Sequence, residues 1–471
     1  MLEFRDVSFT YKNSDRHVLQ NVNFKINKGE CILLTGISGG GKSTLIHLMN
    51  GLIPTLYEGE LEGKILFNDI DLNCIKTYDI SKNIGYVSQD PRGHFFTTNT
   101  TSELVFAMEN YGVSLNDMTK KYSEIVDLLE LENIVDKNII YISSGERQKI
   151  AIGCSLTLDP KIIILDEPSS NLDFYMTKKL TQLIEKLKRR GYTIIIAEHR
   201  IHYIQDLIDR VFVVNNGQVV ERTIYDLKNN NNNNNIPLRS LDIFNLELGN
   251  TLDNSNNELL IELNKISYKH ILSNIKTSIF KGDVIGLIGK NGVGKTTLLR
   301  LLSNIIKPDK GNIQGDYIPF LVMQDMDYQF FTESVESEMS FGVESKEEEK
   351  INSLLIELGL FEFKDKIPFE LSGGQKQRLL IAISALSNVN LLMFDEPTSG
   401  LDYLNMNKVS SILKKLSKNS ALIVATHDIE FLYKTCNRVI YLDDREIKDD
   451  FYLNIDNKKK VEDIFINMEG K

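Results

Sequence analysis

The sequence contains one ordered set of motifs twice, and this repetition restricts the possible folds more than any other feature. The repeated pairs are GISGGGKST (36–44) and GKNGVGKTT (289–297), YVSQD (86–90) and LVMQD (321–325), FFTTNTTSELVF (95–106) and FFTESVESEMSF (330–341), IIILDEPSSNLD (162–173) and LLMFDEPTSGLD (391–402), and IIIAEHR (194–200) and LIVATHD (422–428). Because every element recurs in the same order, the chain is a tandem duplication of one domain. Its 471 residues are enough for two such domains.

The two copies are separated by an asparagine tract at residues 229–235. Such a tract cannot bury apolar area, so we interpret it as part of a flexible linker. We predict a first domain at 1–225, a linker at 226–257 and a second domain at 258–471.

Short aliphatic and β-branched runs alternate with amphipathic segments in both copies. The runs are CILLTG, IIILDE and TIIIAE in the first copy and VIGLIG, LLMFDE and ALIVAT in the second. Runs of this kind are typical of buried parallel strands, and the alternation predicts an α/β fold with a parallel-sheet core in each copy. The stretch from Lys295 to Gln324 is much shorter than the matching stretch from Lys42 to Gln89, which predicts that the second copy has lost strands there.

Charge and composition argue against a nucleic-acid partner, a secreted chain and a chain that spans a membrane. The net charge is -11, and the basic clusters are short (186–190 and 458–460), which argues against a nucleic-acid partner. The four cysteines show no CxxC or His-flanked spacing. The N-terminal residues do not form a signal pattern, and no apolar run approaches the roughly 20 residues that span a bilayer. We therefore expect a cytosolic chain, unless a partner holds it at a membrane.

The pattern G-x-x-x-x-G-K-[ST] occurs twice, each time after an apolar strand. Its glycines let backbone N–H groups close around phosphates at the positive end of the following helix. The lysine reaches the β- and γ-phosphates, and the following hydroxyl can ligate Mg²⁺. These residues are Lys42 and Ser43 in the first copy, and Lys295 and Thr296 in the second.

Polar residues close the later strands of each copy. In a carboxylate pair downstream of a phosphate loop, the first member is suited to holding Mg²⁺ through water and the second to polarising an attacking water. A histidine closes a later strand, where a γ-phosphate sensor is expected, and a glutamine follows the strand before each FFT segment. The residues are Asp166, Glu167, His199 and Gln89 in the first copy, and Asp395, Glu396, His427 and Gln324 in the second.

Together these motifs resemble ATP-binding cassette ATPases over nearly the whole chain apart from the linker. The resemblance depends on both phosphate loops, both glutamines, LSGGQ at 371–375, both DE strand ends, the SSNLD and TSGLD turns, and both histidines. It implies two tandem P-loop domains, each with a RecA-like parallel-sheet core and a helical signature subdomain. It also implies hydrolysis of ATP with Mg²⁺, and head-to-tail pairing of the two domains within one chain around two ATP molecules.

The resemblance assigns roles residue by residue. The general bases would be Glu167 and Glu396, and the switch histidines would be His199 and His427. Mg²⁺ would be bound by Ser43, Gln89, Asp166, Thr296, Gln324 and Asp395. The ATP contacts would come from Tyr11, Gly36, Ser38, Gly39, Gly40, Gly41, Lys42, Ser43, Thr44, Gln89, Ser143 and Gly145, and from Tyr268, Gly289, Asn291, Gly292, Gly294, Lys295, Thr296, Thr297, Gln324, Ser372, Gly373, Gly374 and Gln375. Tyr11 matches the aromatic residue that stacks on adenine, whereas the second copy offers either Tyr268 or His270.

The signature of the first copy, ISSGE, departs from the family pattern. Ser144 replaces a glycine, and Glu146 stands where the second copy has Gln375. Head-to-tail pairing would place this altered signature over the loop of Lys295 and the intact LSGGQ over the loop of Lys42. We predict two competent but unequal sites, of which the Lys42 site is the faster.

A narrower resemblance comes from the segment after each glutamine, Q-D-[PM]…FFT-x-[NS]-[TV]-x-S-E, and from EHR at 198–200. These segments look like the fused double-cassette ATPase of energy-coupling-factor importers, which take up vitamins and transition-metal ions. This resemblance implies a transmembrane coupling subunit, a substrate-capturing membrane subunit, a position on the cytoplasmic face of the membrane and no nucleic-acid partner.

Other classes of protein carry the same cassettes. A tandem sugar-importer ATPase is the runner-up, because cassette motifs do not encode the cargo. A soluble ribosome-binding tandem-cassette factor fits poorly with the asparagine linker and the acidic charge. Chromosome and repair ATPases would need long coiled coils or zinc modules, and the sequence has neither heptads nor cysteine clusters.

Overall fold

A computed structural model describes residues 1–12, 14, 16–229, 237–249, 258–341 and 348–468. The chain divides into two units, one of residues 1–172 and 176–241 and one of residues 173–175 and 242–471. The asparagine tract beyond residue 229 and the linker residues 250–257 lie outside the described residues. In the described part of the predicted linker, Leu238 and Leu241 pack against the core of the first unit and Ile243 is buried in the core of the second. The exact domain bounds stay a prediction.

The first unit contains two sheets and the helices that cover them. Its strands are β1 (Leu2–Tyr11), β2 (Leu19–Ile26), β3 (Cys31–Gly36), β4 (Gly59–Phe67), β5 (Ile70–Asp71), β6 (Ile84–Val87), β7 (Ile162–Asp166), β8 (Thr193–Ala197), β9 (Arg210–Asn215) and β10 (Gln218–Arg222). Its helices are α1 (Lys42–Met49), α2 (Leu52–Thr55), α3 (Thr77–Asn83), α4 (Thr100–Asn110), α5 (Leu115–Leu129), α6 (Ser144–Leu156), α7 (Phe174–Arg189) and α8 (Ile224–Asn229). The first two residues of α7 are assigned to the second unit.

The larger sheet of this unit has the order β10-β9-β3-β8-β7-β6. All neighbours are parallel except the edge pair β9–β10. Successive residues of β3 pack on opposite sides of the sheet, since Leu33 joins the core on the helical side and Leu34 the core beneath the antiparallel sheet β2-β1-β4-β5. Burial on both faces explains why this strand is aliphatic throughout.

The second unit repeats the plan. Its strands are β11 (Leu259–Tyr268), β12 (Leu272–Phe280), β13 (Val284–Ile288), β14 (Lys310–Gly315), β15 (Pro319–Val322), β16 (Leu391–Asp395), β17 (Ala421–Ala425), β18 (Arg438–Asp443) and β19 (Glu446–Tyr452). Its helices are α9 (Lys295–Leu302), α10 (Val335–Ser340), α11 (Glu348–Glu357), α12 (Gly373–Leu386), α13 (Tyr403–Leu416), α14 (Ile429–Thr435) and α15 (Lys458–Asn467).

The sheet order of the second unit is β15-β16-β17-β13-β18-β19, with an antiparallel sheet β12-β11-β14 beside it. The runs predicted as buried parallel strands are β3, β7 and β8 in the first unit and β13, β16 and β17 in the second, so the α/β prediction is confirmed. Residues 295–324 are all described and contain no counterpart of β5, α2 or α3, so the second unit lacks one strand there, where the sequence predicted the loss of strands. Within the described ranges, no helix combines the length and apolar character needed to cross a bilayer.

Candidate functional site

A glycine-rich turn joins β3 to α1 in the first unit and β13 to α9 in the second. Gly41 and Gly294 directly precede the helices and have φ angles of 111° and 114°, a left-handed region that favours glycine. A Cβ added at Gly36 would lie 2.0 Å from the carbonyl oxygen of Val214. Both turns therefore bring bare backbone to a helix N-terminus, where N–H groups and the helix dipole favour phosphate.

The lysine of each loop is buried and folds back over its own turn. Lys42 Nζ donates to the carbonyls of Gly36 and Ile37 at 3.1 and 3.0 Å, and Lys295 Nζ donates to the equivalent carbonyls at 2.7 and 3.1 Å. Burial lowers the pKa of Lys295. From this position each ammonium can exchange carbonyl partners for phosphate oxygens. The other predicted phosphate-loop residues lie in the same turns or in the first turns of α1 and α9, namely Ser38, Gly39, Gly40, Ser43, Thr44, Gly289, Asn291, Gly292, Thr296 and Thr297.

The two predicted general bases have an unusual backbone conformation. Glu167 and Glu396 follow the last residues of β7 and β16 with φ angles of 44° and 54°. Their N–H groups donate to Ala197 O and Ala425 O, at 2.8 and 2.9 Å. Positive φ in a residue with a side chain is strained and often occurs at functional sites. Because the same backbone geometry occurs in both units, we attribute it to the turn itself and not to an irregularity of one copy.

Each of these glutamates lies beside the predicted switch histidine. His199 Nε2 is 3.7 Å from Glu167 Oε1, and His427 Nε2 is 3.4 Å from Glu396 Oε1. Burial lowers the pKa of His199 well below its ordinary value, and burial together with the nearby Glu198 raises the pKa of Glu167. A neutral imidazole beside a carboxyl group of raised proton affinity suits a site that accepts a proton from water.

In the second unit the histidine also meets the phosphate-loop lysine. His427 Nε2 lies 3.0 Å from Lys295 Nζ and 2.9 Å from Asn291 Oδ1. Two residues of the phosphate loop thus contact the histidine directly. The structure brings together the groups that the sequence assigns to the γ-phosphate.

The predicted Mg²⁺ ligands of the second unit are in contact, because Thr296 Oγ1 donates to Asp395 Oδ2 at 2.6 Å. In the first unit Asp166 accepts from Tyr86 Oη at 3.5 Å, and burial raises the pKa of Asp166 to about 6. Mg²⁺ is usually bound by one or two carboxylates plus substrate phosphates. The described residues contain no group of three or more His, Cys, Asp or Glu that could hold a metal alone. The oxygen donors present fit an ion that is shared with a nucleotide.

The two predicted glutamine-loop residues follow β6 and β15. Gln89 Nε2 donates to Glu167 Oε2 at 2.8 Å, so the first-unit glutamine reaches the predicted general base. Gln324 is exposed at the equivalent place after β15. Its role as an Mg²⁺ ligand stays a prediction, as does that of Gln89.

The predicted adenine contact is at the end of the first strand of each unit. Tyr11 Oη lies 3.0 Å from Thr44 Oγ1, next to the phosphate-loop helix. In the strand pairing, Tyr268 opposes Leu272 in the way that Phe9 opposes Leu19. His270, two positions beyond Tyr268, therefore matches Tyr11 in sequence register, although β11 ends at Tyr268 and His270 lies in the following turn, whereas Tyr11 is still paired with Gly59. This register favours His270 over Tyr268, and the assignment stays a prediction.

The two signatures begin helices α6 and α12 with the same cap. Ser143 N–H donates to Glu146 Oε2 at 2.7 Å, and Glu146 N–H donates to Ser143 Oγ at 3.2 Å. Ser372 N–H donates to Gln375 Oε1 at 2.8 Å. This reciprocal arrangement is a capping box, so Glu146 and Gln375 have the same local role in starting a helix.

The second unit leaves room for a side chain at the position that matches Ser144. A Cβ added at its counterpart Gly373 would meet no described atom within 4 Å, whereas one at Gly145 would lie 2.3 Å from Met176. Ser144 Oγ donates to Asn171 O at 3.2 Å. The substitution thus adds a bond between the signature and the SSNLD turn, a bond that a glycine cannot make.

Two buried glutamates of the repeated FFT segment were not predicted as site residues. Glu103 accepts from the N–H groups of Phe96 and Thr97, at 3.1 and 2.7 Å. Glu338 does the same for Phe331 and Thr332, at 3.0 and 2.8 Å. Each carboxylate thus holds the FFT turn in shape. The sequence signal was the glutamate that recurs eight residues after the first phenylalanine of both segments.

The FFT turn directs its two phenylalanines in opposite directions. The first, Phe95 or Phe330, packs against the core. The second is 78% exposed as Phe96 and 73% exposed as Phe331. Phe96 stacks on Phe106 with ring centroids 5.0 Å apart. Phe331 stacks on Phe341, itself largely exposed, at 6.4 Å.

The chain matches a known protein family and several known proteins. A family model described as ABC transporter matches residues 19–170 and 272–399. A "Putative ABC transporter ATP-binding protein" of Treponema denticola is 38% identical over 96% of this chain and 97% of its own length. A "Putative HMP/thiamine import ATP-binding protein YkoD" of Bacillus subtilis is 29% identical over 94% of this chain and 90% of its own length.

The fold also matches solved structures. A structure described as a model of ribosome-bound archaeal Pelota and ABCE1 contains a chain that aligns with a TM-score of 0.75. The alignment covers 98% of this chain and 80% of that chain at 21% identity. At this identity the likeness shows a shared fold alone.

Proposed function

Because the chain belongs to the ABC transporter family and is an ATPase with two ABC domains, we propose that it powers an importer of the energy-coupling-factor type through separate membrane subunits. The cargo class we propose is a vitamin or a transition-metal ion. The name of the Bacillus subtilis relative, a putative HMP/thiamine import protein, favours a vitamin-like cargo over a sugar. The proposed place of the chain is the cytoplasmic face of the membrane.

In the proposed mechanism the phosphate loops bind the triphosphate and the turns beyond β7 and β16 hydrolyse it. Lys42 and Lys295 neutralise phosphate charge from the helix N-termini. Glu167 and Glu396 orient water and accept its proton. Mg²⁺, held by Ser43 and Asp166 or by Thr296 and Asp395, would neutralise charge on the β- and γ-phosphates.

The histidines complete the two proposed sites. A neutral His199 beside Glu167 can donate one hydrogen bond to the γ-phosphate without competing for the proton of the water. His427 has the same position beside Glu396. We propose that the two units supply both sites of one chain, in the head-to-tail pairing that the family resemblance implies.

The observation that carries the membrane role is the exposed aromatic pair of each unit. Phe96 and Phe331 follow Gln89 and Gln324 by seven residues, and in the first unit the amide of Gln89 contacts Glu167 of the hydrolytic site. Water-exposed phenylalanines in a turn that is held rigid by a buried carboxylate suit a protein partner rather than a nucleic acid. An apolar helix end of a membrane subunit is a partner of this chemistry.

A soluble ribosome-binding factor, the alternative function, would need a basic surface. Ribosomal RNA is bound mainly through phosphate contacts from lysine and arginine. The chain has a net charge of -11, and its exposed duplicated feature is aromatic. Both observations favour the importer over the ribosome factor.

Affinity purification of the tagged chain from detergent-solubilised membranes tests the proposal. Mass spectrometry should find two integral membrane proteins in the eluate, together with a small vitamin or metal ligand. Recovery of ribosomal proteins in place of membrane proteins would overturn it. Recovery of a periplasmic or extracellular sugar-binding protein with its permease would support the sugar-importer alternative.

A further inference from the structure

The motif EHR in the first unit contains a buried glutamate whose charge helps to raise the pKa of Glu167 but which contacts neither water nor nucleotide in the proposed mechanism. Glu198 precedes His199 and is 2% exposed. Its Oε1 accepts from the N–H groups of His199 and Arg200, at 2.9 and 3.1 Å. Its Oε2 accepts from Ser169 Oγ at 2.8 Å and from Tyr203 Oη at 2.9 Å. The N–H group of Ser169 also donates to Oε2, at 3.4 Å. A carboxylate can only accept hydrogen bonds, so it matches all five donors.

The second unit makes the same link from the other side of its histidine. Thr426 occupies the position of Glu198, and Asp428 follows His427. Asp428 Oδ2 accepts from Thr398 Oγ1 at 2.9 Å, and Asp428 N–H donates to Thr426 Oγ1 at 3.0 Å. Thr398 is the counterpart of Ser169, since each is the second residue after the predicted general base. In both units a carboxylate therefore joins this hydroxyl to the histidine loop.

One further position changes together with the glutamate. Tyr203, whose hydroxyl donates to Glu198, corresponds to Phe431, which has no hydroxyl. Phe431 instead donates its backbone N–H to Asp428 Oδ1 at 3.1 Å. Residues 198, 200 and 203 of the first unit therefore differ together from their counterparts in the second unit, which are Thr426, Asp428 and Phe431.

We propose that Glu198 is a positioning residue for ATP hydrolysis in the first unit. It fixes the backbone of His199 to the turn after Glu167, so that the imidazole stays beside the base. The inference rests on the proposed roles of Glu167 and His199 and not on the transported cargo. Because Glu198 acts on the histidine through the backbone, its loss should lower kcat and leave the KM for ATP nearly unchanged.

The test is a double-mutant cycle on steady-state ATP hydrolysis by the full chain, with E198T, H199A and E198T/H199A. Misplacing a catalytic group by about 1 Å can cost on the order of a hundredfold in rate. We expect E198T to lower kcat by the same factor as H199A, to within about twofold, with no further loss in the double variant. A double variant that loses the product of the two single factors would show an independent structural effect and overturn the proposal. So would an E198T variant with the kcat of the unmodified chain.

Two variants separate positioning from folding. E198Q keeps an oxygen for the N–H groups of His199 and Arg200, and the hydroxyls of Ser169 and Tyr203 can rotate to accept from its amide. Only the longer bond from Ser169 N–H, at 3.4 Å, loses its acceptor, so E198Q should retain most of kcat. E198T/R200D/Y203F installs the residues of the second unit and should restore kcat even if E198T alone is poorly folded. A folded triple variant, with an unchanged melting temperature and the kcat of H199A, would contradict the proposal. If H199A itself hydrolyses ATP normally, the proposed role of the histidine fails as well, whereas a defective H199A with an active E198T refutes only the role of Glu198.

Discussion

Ser143 N–H donates a hydrogen bond to Glu146 Oε2 at 2.7 Å, so the carboxylate of the altered signature is turned onto the N-terminus of its own helix. There the negative charge is favourable, because the helix dipole is positive at this end. The charge of Glu146 is thus compensated locally, which leaves Ser144 as the more consequential change in the signature of the first unit.

The first prediction is a reciprocal exchange of these caps. E146Q should weaken the start of α6 by about 0.3–1 kcal/mol, and Q375E should strengthen the start of α12 by a similar amount, because a charged cap interacts better with the dipole. Amide hydrogen exchange in the first turns of the two helices measures both effects. Unchanged protection in both helices would show that the charge of the cap has no energetic role.

The second prediction concerns the unequal sites. The family resemblance pairs the intact LSGGQ with the site of Lys42 and Glu167, and the altered ISSGE with the site of Lys295 and Glu396. E167Q should therefore reduce steady-state ATP hydrolysis by the assembled complex more than E396Q does, since it removes the base of the faster site. Equal losses of ATP hydrolysis in the two single variants would mean that the altered ISSGE signature has no effect on turnover.

The third prediction compares two ion-pair clusters that the duplication places at the same strand position. Arg438 binds Asp283 and Asp450 at 2.8 and 2.7 Å, and Asp283 is fully buried. Arg210 binds Glu30 and Glu221 at 3.0 and 2.7 Å, with Glu221 half exposed. R438M should cost about 3–5 kcal/mol of unfolding free energy, because it leaves a buried charge uncompensated.

R210M is the matched control and should cost about 1 kcal/mol or less, because its partners can be solvated. Hydrogen exchange of the strand amides in β18 and β9 reads out the two units separately. Equal losses of protection in the two variants would show that burial does not distinguish the clusters.

The fourth prediction concerns the carboxylate that holds the FFT turn. E103Q replaces an acceptor of two backbone N–H groups by an amide and should cost about 1.5–3 kcal/mol locally. The amides of Phe96 and Thr97 should lose exchange protection while nucleotide binding is retained. E109Q, at an exposed position of the same helix, is the control and should change neither. Unaltered protection in E103Q would show that the turn does not depend on Glu103.

The sequence predicted the parts of the fold that local patterns encode. The aliphatic runs of β3 and β13 identify strands buried on both faces, and the glycines of the phosphate loops identify turns that need positive φ. The predicted groups of the site lie together because the carboxyl ends of the parallel strands meet at one edge of the sheet, which brings Glu167 to His199 and Glu396 to His427.

Other features depend on contacts between residues that are distant in sequence. Of the five hydrogen-bond donors around Glu198, three belong to Ser169 and Tyr203, which lie outside the pattern EHR, so the pattern alone does not reveal them. The adenine contact of the second unit depends on strand register. The positive φ of Asp6 and Lys265 marks an equivalent irregularity in β1 and β11, which aligns Tyr11 with His270 and not with Tyr268.

We propose that the chain hydrolyses ATP for a membrane complex that it contacts through Phe96 and Phe331. The most direct measurement is the fraction of the chain recovered in the membrane pellet when it is expressed with its partners. We predict that the unmodified chain and Y225S, a control at a residue that is 74% exposed, pellet with membranes. F96S/F331S should stay in the supernatant and still bind ATP. Recovery of the unmodified chain with ribosomes, or membrane binding by F96S/F331S equal to that of Y225S, would contradict the account.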